Sequence, residues 1–90
     1  MTRIYKHCLG FDGGIVVIKD RFKRFLSVQA QRGMPTCWYE VDDNLEEIEV
    51  AVIAIGTGWD IPDEYSEWGY IGTAQDELGY VWHYYASEVK

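Results

Sequence analysis

The sequence predicts an all-β fold: a small antiparallel β-sandwich or barrel of about seven strands, forming a single domain over residues 1–90. Two observations lead to this prediction. Short segments rich in β-branched and aromatic residues recur along the chain, and turn signals separate them every eight to twelve residues or so. Ninety residues are also enough for only one domain, which has a small hydrophobic core.

In the first half of the chain, residues 3–9 alternate as a strand does, and residues 15–18 are all β-branched. Between them, Asp12-Gly13-Gly14 is typical of a turn. Residues 20–31 fit both a helical and a strand period. We favour a strand over residues 25–31 because residues 32–35 form a tight loop into a second strand at 37–41. A short helical turn over residues 21–25 remains the alternative.

In the second half, residues 45–55 form the longest predicted strand, and residues 42–44 the turn before it. Both faces of its second half are apolar, so we expect that half to be covered on both sides. Residues 70–75 and 80–86 then form a hairpin through the turn at 76–79.

The net charge of −7 is unevenly distributed. Residues 1–32 contain seven of the eight Lys and Arg residues, whereas residues 33–90 contain thirteen of the fifteen acidic residues. Because this polarity repels duplex DNA over most of the surface, we expect no duplex DNA binding. The basic residues near Lys19 to Arg24 are suited to a small phosphate ligand, to a solvated face, or to charge pairing in a homo-oligomer.

Composition and motifs argue against several other classes of protein, namely membrane proteins, enzymes and metal-binding proteins. No apolar run is long enough for a membrane span and no apolar signal core is present, so we expect a cytosolic protein with no membrane partner. Cys8 and Cys37 lack zinc-site spacing, and we expect free thiols; a disulfide would need neighbouring strands. His83 has no evident nucleophile, and the acidic run at residues 60–67 lacks calcium-loop spacing. We therefore expect no enzyme activity, no cofactor and no metal.

The candidate site centres on residues 53–75. Gly56-Thr57-Gly58 can bring backbone N–H groups and a hydroxyl close to a polar ligand, although a structural turn explains the same pattern. Eight of the fourteen aromatic residues lie from Trp59 onward, more than so small a core can bury, and exposed rings suit base stacking or a protein partner. The predicted ligand-binding residues are Arg24, Arg32, Trp38, Gly56, Thr57, Gly58, Trp59, Trp82 and His83.

Several blocks carry a family resemblance, in this order: Ile4-Tyr5-Lys6, residues 26–33 continuing to Trp38, Gly56-Thr57-Gly58 with Ile61-Pro62, residues 70–75, and Val81-Trp82-His83. Over nearly its whole length the chain resembles a widespread family of small phage and prophage proteins. It departs from that pattern at residues 21–24 and at Trp59, where a histidine is expected. The resemblance brings no established activity and hence no catalytic residue.

The resemblance implies a phage accessory protein made in the host bacterial cytoplasm. Small phage proteins of this kind commonly act by occupying a target. Our leading hypothesis is a non-catalytic, anti-defence protein that sequesters a small nucleotide signal of bacterial immunity, acting as a homo-oligomeric sponge. The alternative is an acidic, anti-CRISPR-like inhibitor that binds a host defence protein. A virion component is a third possibility.

Overall fold

The structure is a computed structural model that describes residues 1–89. It contains seven β-strands and one short 3₁₀ helix. The strands are β1 (Thr2–Cys8), β2 (Ile15–Asp20), β3 (Phe22–Gln31), β4 (Met34–Asp42), β5 (Ile48–Gly56), β6 (Gly69–Gln75) and β7 (Val81–Ala86), and the 3₁₀ helix spans Asp63–Tyr65 between β5 and β6. The predicted all-β, seven-stranded fold is confirmed.

The strands form two antiparallel sheets. One has three strands in the order β1-β4-β3, and the other has four in the order β2-β5-β7-β6. Apolar residues from both sheets meet in one cluster, which makes the fold a sandwich. Its buried members are Leu9, Ile18, Phe22, Val28, Cys37, Tyr39, Val41, Val50, Val52, Ala54, Ala74, Trp82, Tyr84 and Ala86.

Alternation along each strand decides which side chains enter this cluster. On β7, Trp82 and Tyr84 are buried inside, so His83 and Tyr85 lie on the outer face of the four-stranded sheet. On β4, Cys37 and Tyr39 are inside, which places Trp38 on the outer face of the three-stranded sheet.

The second half of β5 is covered on both sides, as the sequence predicts. Val52 and Ala54 belong to the core cluster, and Ile53 and Ile55 on the other face are only 5% and 6% exposed. Residues 57–68, which follow β5, form a long loop that we call the Trp59 loop.

Two details differ from the sequence predictions. The helical turn considered at residues 21–25 is wrong: the chain there is the start of β3, with irregular pairing to β4 between Phe22 and Arg24. The long strand begins at Ile48 and not at residue 45, because the Asp42 carboxylate and carbonyl accept the N–H groups of Asn44 and Leu45 and hold a turn. The predicted turn at Asp12 is present, and it joins β1 to β2 of the other sheet.

The two cysteines are free, as expected. Their strands β1 and β4 are neighbours, but Cys8 is paired with Thr36, and Cys37 with His7. Adjacent positions on a strand point to opposite faces, so the exposed Cys8 and the buried Cys37 lie on opposite sides of the sheet. Burial raises the pKa of the Cys37 thiol to about 11.

No helix in the part of the chain that the structure describes is long and apolar enough to cross a membrane. Within residues 1–89 there is also no group of three or more His, Cys, Asp or Glu residues placed to hold a metal ion.

Candidate functional site

The Trp59 side chain divides two recesses at the Gly56 end of β5. The first, which we call the aromatic cleft, has a volume of about 420 Å³. The second, the histidine recess, has a volume of about 270 Å³. Gly56, Thr57 and Trp59 line both of them, so the two recesses form one continuous candidate site.

Trp59 is held in place by two glycines. A Cβ atom on Gly56 would lie 2.8 Å from Cε2 of the indole ring, and one on Gly13 would lie 2.8 Å from Cζ3. Only glycine leaves room for the ring at either position. The ring also meets Trp82 edge to face, with centroids 5.2 Å apart, yet Trp59 is still 53% exposed. This indole therefore offers a fixed and accessible surface.

The remaining walls of the aromatic cleft come from two connections and from β7. Phe11 precedes the turn between β1 and β2, Leu78 and Tyr80 lie in the β6–β7 turn, and Trp82 begins the buried part of β7. Tyr80 is 64% exposed, so a second ring faces solvent beside Trp59. The cleft is mainly apolar, and its size is within the range of small-molecule sites, roughly 300–1,000 Å³.

Asp76 is the charged group of the aromatic cleft, and it is only 6% exposed. Its Oδ2 accepts a hydrogen bond from Trp82 Nε1 at 2.9 Å, and its Oδ1 accepts from the N–H groups of Leu78 and Tyr80. The Trp82 hydrogen bond, followed by these backbone N–H groups, lowers the pKa of Asp76, because all of them stabilise the charged form. Asp76 thus stays ionised, fixes the β6–β7 turn and holds the Trp82 ring in orientation.

His83 is the centre of a hydrogen-bonded chain in the histidine recess. Its Nε2 lies 2.8 Å from the Thr57 hydroxyl, and its Nδ1 lies 3.0 Å from the Thr73 hydroxyl, which in turn contacts the Tyr70 hydroxyl. No carboxylate takes part in this chain of contacts within the described residues. The arrangement orients the imidazole and the Thr57 hydroxyl, and it suits hydrogen bonding to a polar ligand.

Six of the nine predicted ligand-binding residues gather at this site. Gly56, Thr57, Trp59 and Trp82 line the aromatic cleft, and Gly58 and His83 line the histidine recess with Gly56, Thr57 and Trp59. Sequence reasoning missed Phe11, Asp76 and Tyr80 as wall residues. Their position beside predicted turns was the available signal, but only the packing of three turns together reveals the cleft.

The other three predicted residues lie elsewhere. Arg24 is on β3, pairs with Glu40 and lines a separate recess with Phe25 and Tyr70. Trp38 is on the outer face of the three-stranded sheet, beside Lys6 and Ser27. Arg32 is in the β3–β4 turn, which contacts the β6–β7 turn through a hydrogen bond from the Glu77 N–H to the Gly33 carbonyl at 3.1 Å.

The positive charge expected at the site is not found among the residues that line the two recesses. Neither the aromatic cleft nor the histidine recess is lined by a Lys or Arg residue within the described chain. Lys19 pairs with Glu49 at the opposite end of β5 from Gly56. Seven residues of an extended strand, at about 3.3 Å each, separate those two positions along β5.

The sequence as a whole matches one family model, over residues 1–90. The chain belongs to the DUF7352 family. This family is described as a domain of unknown function, so membership assigns no chemistry to the Trp59 site. No curated protein and no solved structure matches the chain.

Proposed function

We propose that this DUF7352 protein is a non-catalytic binding protein that takes up the base of a small nucleotide in its aromatic cleft. The observation that carries the proposal is the pair of accessible rings there: Trp59 is 53% and Tyr80 64% exposed beside a cleft of about 420 Å³. Stacking a base on an aromatic side chain contributes about 1–3 kcal/mol, whatever the base.

Polar groups beside the rings support a nucleotide over a purely apolar ligand. The Thr57 hydroxyl lies where the two recesses meet, and its contact with His83 Nε2 fixes both groups. Placed beside a stacked base, they are suited to bind the sugar or an attached polar group. In a phage-encoded protein of the host bacterial cytoplasm, such uptake would serve to sequester a nucleotide signal of antiviral immunity.

Binding of the phosphates requires basic groups from outside the cleft. Within residues 1–89, no Lys or Arg residue lines either recess. We therefore include a homo-oligomer in the proposal, in which a second copy supplies the positive charge.

The experiment is a thermal-shift and calorimetric titration of the purified protein with ADP-ribose derivatives and cyclic dinucleotides. We expect one of these classes to raise the melting temperature, and we expect Trp59→Ala to abolish the effect. Trp38→Ala is the matched control, because it removes a tryptophan from the other sheet and should leave binding unchanged. If a well-folded protein shows no heat and no shift with any of them, the nucleotide proposal is refuted.

A second candidate function is an acidic inhibitor that binds a host defence effector. Exposed Asp60, Asp63 and Glu64 lie in the same loop as the half-exposed Trp59 and Ile61, and this combination suits a basic protein surface with an apolar centre.

This candidate predicts salt-sensitive capture of an effector complex, lost on Asp63→Lys with Glu64→Lys. Reversing Glu46 and Glu47, which precede β5 at its other end, is the matched control and should leave capture intact. Equal capture by both double variants would contradict a role for the Trp59 loop.

A further inference from the structure

The two long sides of the sandwich are not equivalent. On one side β3 and β6 pack together so closely that a Cβ on Gly72 would lie 2.6 Å from the Val28 Cβ. On the other side β1 and β2 end their sheets, and each presents an edge that no strand within residues 1–89 covers. A free edge carries unpaired N–H and C=O groups that can pair with another strand.

The two edges differ in where their charges lie, because β1 is charged within its length and β2 only at its last two residues, Lys19 and Asp20. Strand β1 carries Arg3 and Lys6, and charged side chains discourage edge-to-edge contact. In contrast, β2 begins with Ile-Val-Val-Ile, has no proline, and pairs with β5 without a bulge. Its outward-facing Ile15 and Val17 are 50% and 52% exposed. The β2 edge is thus regular, apolar and open.

The hydrogen bonding of β5 shows which β2 groups are free. The Ala51 N–H donates to Ser87 Oγ, and the Ala51 carbonyl accepts from the Ser87 N–H, so both groups of Ala51 point away from β2. In an antiparallel ladder the direction alternates with each residue. Val50 and Val52 therefore direct their groups to their partners Ile18 and Val16. This leaves the N–H and C=O groups of Ile15, Val17 and Lys19 at the open edge.

We propose that a second copy of this chain pairs antiparallel with β2 across a twofold axis at Val17. In this register Val17 faces Val17 of the second copy, and Ile15 faces its Lys19. The edge N–H and C=O groups of Ile15, Val17 and Lys19 on each strand then face such groups on the other strand, and each pair of residues exchanges two hydrogen bonds. Registers centred on Ile15 or Lys19 bring fewer strand residues into contact. The pairing joins the two four-stranded sheets into one continuous sheet.

Charge supports a second copy as the occupant of this edge. The twofold register moves Lys19 of the second copy towards the Gly13–Gly14 end of β2, where Asp12 is exposed. The Lys19 side chain is 66% exposed and has only a long contact of 3.9 Å to Glu47, so it is free to make a new one. Lys19 of each copy thus approaches Asp12 of the other, twice per dimer.

The pairing also bears on the Trp59 site, a consequence that rests on the proposed function. In the proposed register, Lys19 of the second copy lies opposite Ile15. Gly13, against which the Trp59 ring packs, is only two residues before Ile15. The dimer therefore brings a lysine to the rim of the site, where the same chain provides none. A phosphate attached to a base in the aromatic cleft would be able to bind the ammonium group of this lysine.

The test is the solution mass, measured by size-exclusion chromatography with light scattering, of the wild type and three variants. We expect the wild type at twice the 10.4 kDa of one chain. Val17→Pro removes the N–H that would pair with the second copy, and it leaves the hydrogen bonds between β2 and β5 intact. Val17→Glu places two carboxylates opposite each other across the twofold axis. Both variants should be monomers with wild-type circular dichroism. Ile4→Lys, which places a charge opposite Glu40 on the exposed edge of β1, is the control and should stay dimeric.

A monomeric wild type, or a dimer that persists in Val17→Pro and Val17→Glu, would overturn the pairing. The mass decides the pairing independently of any ligand, whereas the titrations with Trp59→Ala decide the nucleotide proposal. The two can therefore fail separately.

Discussion

The Tyr84 hydroxyl ties the core to the segment that supports the candidate site. Tyr84 is 1% exposed, and its hydroxyl donates a hydrogen bond of 2.7 Å to the Gly10 carbonyl. Gly10 precedes Phe11, a wall of the aromatic cleft, and Gly13, on which Trp59 rests. Burial raises the pKa of Tyr84, so the hydroxyl remains a donor well into alkaline solution. We predict that Tyr84→Phe destabilises the fold and loosens this segment.

The size of the effect follows from the bond that is lost. Leaving a partly buried carbonyl without its donor costs about 1–2 kcal/mol. The unfolding entropy of a chain of 90 residues is about 190 cal/mol/K, at roughly 2.1 cal/mol/K per residue. Dividing the cost by this entropy predicts a fall in melting temperature of about 5–10 °C.

Thermal unfolding followed by circular dichroism measures the shift, and near-ultraviolet circular dichroism of the tryptophans reports on the Trp59 ring. Tyr80→Phe is the matched control, because Tyr80 is 64% exposed and its hydroxyl has no hydrogen-bond partner within residues 1–89. It should melt within a degree or so of the wild type, since exposed substitutions rarely exceed about 0.5 kcal/mol. Equal melting temperatures for the two variants would refute the anchoring role of Tyr84.

Two further predictions concern the core and the junction of the sheets. Because burial raises the pKa of Cys37 from 9.0 to about 11, unfolding releases a proton between these values, and stability should fall as the pH rises through that range. Cys37→Ala should flatten this part of the curve of melting temperature against pH, whereas the same curve for Cys8→Ser should follow the wild type. Gly72→Ala should cost about 1–3 kcal/mol in urea unfolding, because its Cβ would overlap Val28. The control Gly10→Ala meets nothing closer than 3.4 Å, and an equal loss in both glycine variants would contradict the steric reason.

The strands and their turns could be predicted because local sequence determines them. The hairpin between β3 and β4 is an example, since Arg32 and Gly33 both adopt positive φ values of 54° and 76°, as a tight two-residue turn requires. The start of β3 was harder to predict, because Phe22 and Phe25 fit a helical spacing and pack together at 4.6 Å across an irregular strand.

The assignment of each strand to one of the two sheets could not be predicted from the local sequence pattern. Arg24 and Trp38 were predicted at the site on residue type alone, but the pairing of β3 with β4 places them on the three-stranded sheet. Asp76 was read correctly as part of a turn. Its second role, as acceptor for Trp82, depends on how the turn folds back on β7. Whether the basic segment at residues 19–24 joins the Gly56 loop was likewise a question of packing, and within one chain Lys19 lies at the opposite end of β5.

The backbone hydrogen bonds of the Trp59 loop have an evolutionary consequence. The Thr57 N–H donates to the Val81 carbonyl. The other backbone hydrogen bonds donated by this loop reach carbonyls only three residues earlier in the chain: Trp59 to Gly56, Tyr65 to Pro62, Ser66 to Asp63, and Trp68 to Tyr65. The ladders of both sheets do not depend on them. The exposed residues of this loop can therefore vary within the family while the two sheets persist, so that one scaffold can present different binding surfaces.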